Sequence, residues 1–244
     1  ATWGDYDNDG DPDLFTCSWY GESNLLFTNL GGGTFTRSPL GPGSYSEGCS
    51  WVDYDNDGLL DLYVANSGDS SEPISQRNNF LFHNDGGTFT RILVGPLVTD
   101  GLRSRQPSWA DYDGDGDQDL FVANESGDDN RLYRNLLIET GVADFEDLAA
   151  GAATSDGGNS WSASWGDFDN DGDFDLYVGN NDGEVNYFYR NELTETGTAT
   201  LTRISDMDLG TQGGWAAGTS WADWDNDGDL DLLQTNGFHP DPNR

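Results

Sequence analysis

Ser108-Trp109-Ala110-Asp111-Tyr112-Asp113-Gly114-Asp115-Gly116-Asp117-Gln118-Asp119-Leu120 is the stretch that decides how this chain is read. Aspartates alternate through a segment too short and too glycine-rich for a helix, with Trp109 before it and Leu120 after it. The same pattern starts at Asp5, Asp53, Asp111, Asp167 and Asp223, at intervals of 48, 58, 56 and 56 residues. A fixed period of this size is the signature of a repeat architecture and has to be recognised before any single element is assigned. Each copy has a Trp two residues ahead of its first Asp (Trp3, Trp51, Trp109, Trp165, Trp221), and Leu plus a large apolar residue follow its last.

Working outward, the flanks alternate in polarity as strands do. Asn24–Asn29, Asn79–Asn84, Asn130–Asn135 and Asn186–Asn191 read as a third strand. Thr34–Arg37, Thr88–Arg91, Asp144–Asp147 and Thr200–Arg203 read as a fourth. The unit is strand, Asp loop, strand, turn, strand, turn, strand, and no 3.6-residue stripe of useful length interrupts it. The expectation is an all-β chain, a β-propeller of four-stranded antiparallel blades with an Asp loop between the first two strands of each. The repeats fall at about 1–44, 45–101, 102–155, 156–212 and 213–244, the last incomplete, giving about four and a half blades. That count predicts either a piece of a longer chain or completion by another molecule.

The loop is a cation cage by its spacing. Asp at positions 1, 3, 5 and 9 can converge on one point, and a backbone carbonyl at position 7 adds a further oxygen, which suits a hard cation taking 6–8 oxygens. The candidate ligands are Asp5, Asp7, Asp9, Asp11 and Asp13; Asp53, Asp55, Asp57, Leu59 and Asp61; Asp111, Asp113, Asp115, Asp117 and Asp119; Asp167, Asp169, Asp171, Asp173 and Asp175; and Asp223, Asp225, Asp227, Asp229 and Asp231. Leu59 shows why position 7 is assigned to a carbonyl, since its side chain has no donor. Glycine at position 6 (Gly10, Gly58, Gly116, Gly172, Gly228) permits the positive φ that the reversal needs. Calcium fits best, about five ions. Magnesium prefers few carboxylates and keeps its waters, and transition metals want His or Cys. An EF-hand is excluded because its position-12 Glu is Thr16, Val64, Val122, Val178 or Gln234 here.

Charge agrees with this. The formal net charge is −35, and four Asp in each of five loops explain twenty of the 45 acidic residues. What remains argues against nucleic acid or an anionic membrane surface, both of which need Lys/Arg patches. All ten basic residues are Arg, which fits a salt-rich habitat or chance in a short Asp-biased chain. No window approaches the ~18 apolar residues of a membrane span. Cys17 and Cys49 each lie four residues from a loop, so neighbouring hairpins would put them at similar height; an inter-repeat disulfide and a pair of small buried residues are both open.

These motifs resemble the FG-GAP/VCBS repeat family, the calcium-loop blades of integrin α-subunit heads, fungal lectins and many secreted bacterial proteins. The resemblance implies a propeller, commonly seven-bladed, with calcium in the hairpin between a blade's first two strands. It carries no binding specificity, because the family's partners range from proteins to sugars.

No catalytic constellation is legible, so no enzyme is expected. His83 and His239 are the only histidines, and His83 reads as a surface or packing residue. The leading expectation is an extracellular, cell-surface or periplasmic recognition or adhesion module, stabilised by calcium and binding a protein or glycan. Weak calcium sites fill at millimolar concentration and stay empty in cytosol. The alternative is a structural subunit that pairs with copies of itself in a filament, appendage or surface assembly; a non-catalytic module of a larger secreted enzyme is a third reading. Candidate ligand-binding residues are Trp161, Trp215, Tyr45, Arg103 and Arg105, with Trp19 and Tyr20 as further aromatics outside the repeated positions. They are expected in the connections ahead of first strands, where loops carry function. Asn124-Glu125-Ser126 is a glycosylation sequon.

Overall fold

A computed structural model of the chain describes residues 1–68, 73, 76–148, 151–205 and 214–237. His239 lies outside the described residues. The fold is all-β, as the period-2 alternation requires. Strands β1 (Thr2–Gly4), β2 (Asp13–Thr16), β3 (Ser23–Asn29) and β4 (Phe35–Gly43) form one antiparallel sheet in chain order. The second sheet is β5 (Ser46–Val52), β6 (Asp61–Asn66), β7 (Phe80–Asn84) and β8 (Phe89–Ile92). The third holds β9 (Ser104–Ala110), β10 (Asp119–Asn124), β11 (Arg131–Asn135) and β12 (Phe145–Asp147), and the fourth β13 (Ser160–Gly166), β14 (Asp175–Asn180), β15 (Tyr187–Asn191) and β16 (Leu201–Ile204). A two-stranded sheet, β17 (Ala216–Ala222) and β18 (Asp231–Asn236), follows. The α-helical pieces among the described residues are four single turns.

By contacts the chain divides into two compact units, residues 1–107 with 135–146, and 108–134 with 147–244. The core of the first gathers Tyr6, Phe15, Leu26, Leu62, Val64, Phe80 and Phe82; that of the second gathers Tyr112, Phe121, Leu132, Leu176, Val178, Tyr187 and Tyr189. The second strands β6, β10 and β14 are buried at every position. That burial explains why their sequences run apolar continuously instead of alternating.

Neighbouring repeats are joined by three recurring devices. In the middle, the Trp that precedes the second and fourth loops stacks on the previous repeat's position-2 aromatic, and Trp221 packs against Tyr177 and Phe188 of the repeat before it. Trp51 lies on Tyr6 with centroids 5.9 Å apart and planes 7° apart, and Trp165 lies on Tyr112 at 6.2 Å and 28°. A Cβ on Gly4 would meet Trp51 at 2.6 Å, and one on Gly166 would meet Trp221 at 2.8 Å, so both glycines make room for the indole. At the loop end, the Asn closing each third strand donates to the previous repeat's loop. Asn84 Nδ2 donates to the Tyr6 carbonyl (2.7 Å), Asn135 Nδ2 to that of Tyr54 (2.8 Å) and Asn191 Nδ2 to that of Tyr112 (2.7 Å). At the opposite end, the Asn opening the third strand donates to a Ser in the next first strand: Asn24 to Ser46, Asn79 to Ser104 and Asn130 to Ser160, all at 3.0–3.1 Å. The Asn and Ser groups of these bonds are all buried, so polar pairing specifies the joints alongside ring packing.

Candidate functional site

The Asp loops occupy the hairpins between first and second strands in all five sheets, and their backbone has one conformation. Position 4 is left-handed (Asn8 φ 57°, Asn56 55°, Gly114 73°, Asn170 59°, Asn226 60°), as is the glycine at position 6. Asn and Gly are the residues that tolerate that region. Backbone N–H groups then aim the carboxylates. The position-1 Asp accepts from the N–H groups of positions 5 and 6: 3.1 and 2.9 Å for Asp5, 3.0 and 2.9 Å for Asp53, 3.0 and 3.0 Å for Asp111. Asp167 and Asp223 repeat the arrangement. The position-5 Asp accepts from the N–H of position 7, including that of Leu59 at 2.8 Å. The position-9 Asp accepts from the N–H of the position-2 aromatic in every loop, and Asp13, Asp61 and Asp175 also accept from the third-strand Asn29, Asn84 and Asn191.

The result is carboxylate oxygens within 4.8 Å of one another in Asp5, Asp7 and Asp13, in Asp53, Asp55 and Asp57, and in Asp111, Asp113 and Asp115. Asp55 Oδ1, Asp113 Oδ1, Asp115 Oδ2 and Asp171 Oδ2 are buried without a hydrogen-bond donor. Buried acceptors left unpaired beside other carboxylates fit a cation that supplies the missing charge. The position-7 side chains behave differently. Asp173 accepts from the Thr194 N–H at 2.9 Å and Asp229 from Asn170 Nδ2 at 2.7 Å, while Asp117 offers an oxygen within 4.8 Å of Asp115 and Glu139, and Asp173 Oδ1 is buried without a donor.

Burial sets the electrostatics. Asp13, Asp61, Asp119 and Asp175 are wholly buried. Desolvation pushes Asp61 and Asp175 up to about 7 and Asp113 up to about 6, with neighbouring aspartates adding to the shift. Asp13, Asp55, Asp169 and Asp173 move up for the same first reason. The donor set is oxygen only in most loops, the chemistry of a hard divalent cation. The second loop departs from it. His83 Nδ1 lies 3.3 Å from both Asp55 Oδ2 and Asp61 Oδ1, and its ring stands edge-on to Tyr54, so the packing role expected of it comes with a place beside the loop. Its strand position is held by Thr28, Arg134 and Arg190 in the other repeats, and the sequence showed the substitution without showing that this face of β7 overlies the loop.

The candidate ligand-binding residues separate. Tyr45 immediately precedes β5, Arg103 precedes β9 and Trp215 precedes β17, as expected for connections. Trp161 and Arg105 do not: they lie inside β13 and β9. Trp161 falls where the β13–β14 register shifts, between Ser160 and Ser162, and Glu47 falls at the same shift in β5. A β-bulge re-aims a side chain out of the ladder, and strand alternation alone does not reveal it. In the first unit the structure assembles a patch. Trp19 stands edge-on to Tyr20 and to Tyr45, with centroids 4.7 and 5.4 Å apart. Its indole Nε1 donates to Glu47 Oε1 at 2.5 Å, and Arg105 pairs with the same oxygen at 2.6 Å. Tyr20 is 79% exposed and left-handed (φ 61°), a strained backbone that presents its ring to solvent. Glu47 was absent from the candidates because nothing local distinguishes it from other acids. Trp161 and Trp215 belong to the second unit.

The sequon leads nowhere in the folded chain. Asn124 is fully buried, and its Nδ2 donates to the Asp129 carbonyl at 2.7 Å.

These features define a class: β-sheet repeats with an acidic loop in the first hairpin of each. The chain belongs to the FG-GAP-like repeat family, whose pattern matches residues 5–64, 53–122 and 111–178. Over 164 residues it is 30% identical to cartilage acidic protein 1 of Mus musculus and of Homo sapiens, a match taking in 65% of this chain and 25% and 24% of those proteins. The chain thus spans about a quarter of the length of the curated relatives it matches. Among solved structures, its fold is similar to that of an Agrocybe aegerita lectin that recognises non-reducing terminal N-acetylglucosamine. That likeness has a TM-score of 0.55 at 15% identity and covers 96% of this chain and 60% of the lectin. It is similar also to an exotype rhamnogalacturonan lyase, with TM-score 0.51 at 16% identity over 96% of this chain and 44% of the lyase.

Proposed function

We propose that this chain is an extracellular recognition module of propeller blades, that calcium fills its Asp loops, and that a glycan or protein partner docks on the Trp19–Tyr20–Tyr45 patch beside the Glu47–Arg105 pair. The observation that carries the reading is the patch itself: two exposed aromatic rings set edge to face, next to a charged pair that can exchange hydrogen bonds with a polar ligand. Exposed rings with adjacent polar groups suit the apolar face and hydroxyl rim of a sugar, and equally an aromatic anchor of a protein partner. The two structural neighbours are described by the carbohydrates they recognise or cleave, which favours a glycan as the first ligand to test.

The loops have a different role. Glu47 is near the start of β5 and the Asp53 loop follows its end, so patch and cage are separated by most of a seven-residue strand, about 20 Å. Calcium at that distance stabilises the hairpins and touches no ligand. No catalytic residue enters this reading.

The test is a glycan array followed by titration calorimetry on the best sugar with wild-type, Trp19→Ala and Tyr20→Ala chains, folding being checked by circular dichroism. Loss of a base-stacking or sugar-stacking aromatic at a hot spot costs at least about tenfold in affinity. Unchanged binding in both variants refutes the patch, and no binding by the wild-type chain to glycans or to a panel of secreted proteins refutes the recognition reading.

A further inference from the structure

We infer that Cys17 and Cys49 form an oxidation site, where a small-molecule or protein disulfide converts the two thiols into a cross-link between the first two repeats. Cys17 directly follows β2 and Cys49 lies in β5. Both thiols are free and half-buried, each is the strongest influence on the other's ionisation, and both pack against the core that contains Phe15, Leu26, Leu62 and Val64. Backbone pairing holds the two segments in place on that side: the Ser46 N–H donates to the Ser18 carbonyl at 3.1 Å, and the Gly21 N–H to that of Ser44 at 3.1 Å.

The repeats themselves give an independent measure of the distance. Gly179 and Thr219 occupy the same two positions in the fourth and fifth repeats. A Cβ on Gly179 would stand 3.5 Å from the Thr219 methyl. The methyl stands one bond beyond the Thr219 Cβ, where a cysteine would carry its sulfur, so the joint brings the two side chains into contact range for an S–S bond. Only the first joint carries sulfur at both positions; the equivalents of Cys17 are Ala65, Ala123, Gly179 and Thr235, and those of Cys49 are Pro107, Ala163 and Thr219.

The chemistry is thiol–disulfide exchange with an external disulfide, RSSR, as the oxidant. The neighbouring Cys17 thiol lowers Cys49 below the usual thiol range, while the same partnership, together with burial, raises Cys17. Cys49 as thiolate therefore attacks one sulfur of RSSR; the reagent's S–S bond breaks, and RS⁻ leaves and takes up the proton that Cys49 released. Cys17 then gives up its proton and attacks Cys49 Sγ, breaking the mixed disulfide and expelling the second RS⁻, which is protonated in turn. Two protein thiols and RSSR become one protein disulfide and two RSH. The bond closes the segment from Cys17 to Cys49. Trp19 lies two residues from one sulfur and Glu47 two from the other, so the cross-link also fixes the two sides of the aromatic patch against each other.

The experiment uses the full chain with calcium, reduced and then equilibrated with oxidised and reduced glutathione. Thiol titration in denaturant is expected to fall from two to none, and a non-reducing peptide map to contain one Cys17–Cys49 peptide pair lighter by two hydrogens. The melting temperature should rise by about 5–10 °C on oxidation. Cys17→Ser and Cys49→Ser chains should show no such rise and stop at a single glutathione adduct. Persistence of both thiols, glutathione on both sulfurs, or linkage only between molecules overturns the inference, whether or not the aromatic patch binds a ligand.

Discussion

Replacing Asn84 by Ala tests how the repeats are joined. Asn84 is fully buried; its Nδ2 donates to the Tyr6 carbonyl at 2.7 Å and to the Leu60 carbonyl at 3.0 Å, and its Oδ1 accepts from the Gly87 N–H at 2.8 Å. The Tyr6 bond reaches back 78 residues into the preceding loop. Alanine strands that carbonyl in a joint covered by Trp51 and Phe89, where water cannot replace the donor. Each buried polar group left unpaired costs about 1–3 kcal/mol. Asn29 is the internal control: it opens the same kind of turn, but its Nδ2 donates to Pro12 at 3.1 Å within its own repeat. Asn84→Ala should therefore be less stable than Asn29→Ala by about 1–3 kcal/mol. For a chain of this size that is a melting difference of roughly 3–10 °C. Thermal unfolding followed by circular dichroism, at saturating calcium for both variants, reads it directly. Equal losses in the two variants would refute the claim that this bond joins repeats.

Calcium removal is expected to act on the same joints. At tenfold excess over Kd each site stabilises by about 1.4 kcal/mol, so five independent sites give around 7 kcal/mol, comparable to a whole domain; a calorimetric melt unchanged in EDTA would exclude calcium as a structural ion. pH should separate the two states. Asp61 and Asp175 at about 7 and Asp113 at about 6 lie above their unfolded values, so the calcium-free folded chain binds more protons than the unfolded one between roughly pH 4 and 7. Its stability therefore falls as pH rises through that window, whereas the calcium-loaded chain loses stability as pH falls and protons displace the ion; parallel melts at pH 5.5 and 7.5 check both signs. Gly4→Val would place its Cβ 2.6 Å from Trp51 and 2.9 Å from Leu60, a clash expected to cost about 1–3 kcal/mol in a denaturant titration. Val52 already occupies the corresponding position in the second repeat, so a neutral Gly4→Val chain would show that the first joint can open to accept it.

The sequence by itself determined the period, the strand order within each repeat and the loop residues. Those signals are local: φ-permissive Asn and Gly at fixed offsets, alternating polarity, and aspartates whose spacing has meaning only around a single point. It also marked Asn24, Asn79 and Asn84 as strand boundaries, but could not say that they bind across repeats, because their partners Ser46, Ser104 and Tyr6 lie between 22 and 78 residues away. The same limit applies to the candidate site. Tyr45 and Arg105 were legible as residues outside the repeat pattern, whereas Glu47, the acid that links Arg105 to Trp19, looks like any other in a chain with 45 of them. A bulge in β5 brings Glu47 to that place, and a bulge is a one-residue shift between two paired strands, invisible to either strand alone. His83 and the Cys17–Cys49 pair were visible as departures from the repeat. Only tertiary structure decided what they face, since that depends on which strand face lies over the loop and on how far apart neighbouring sheets pack.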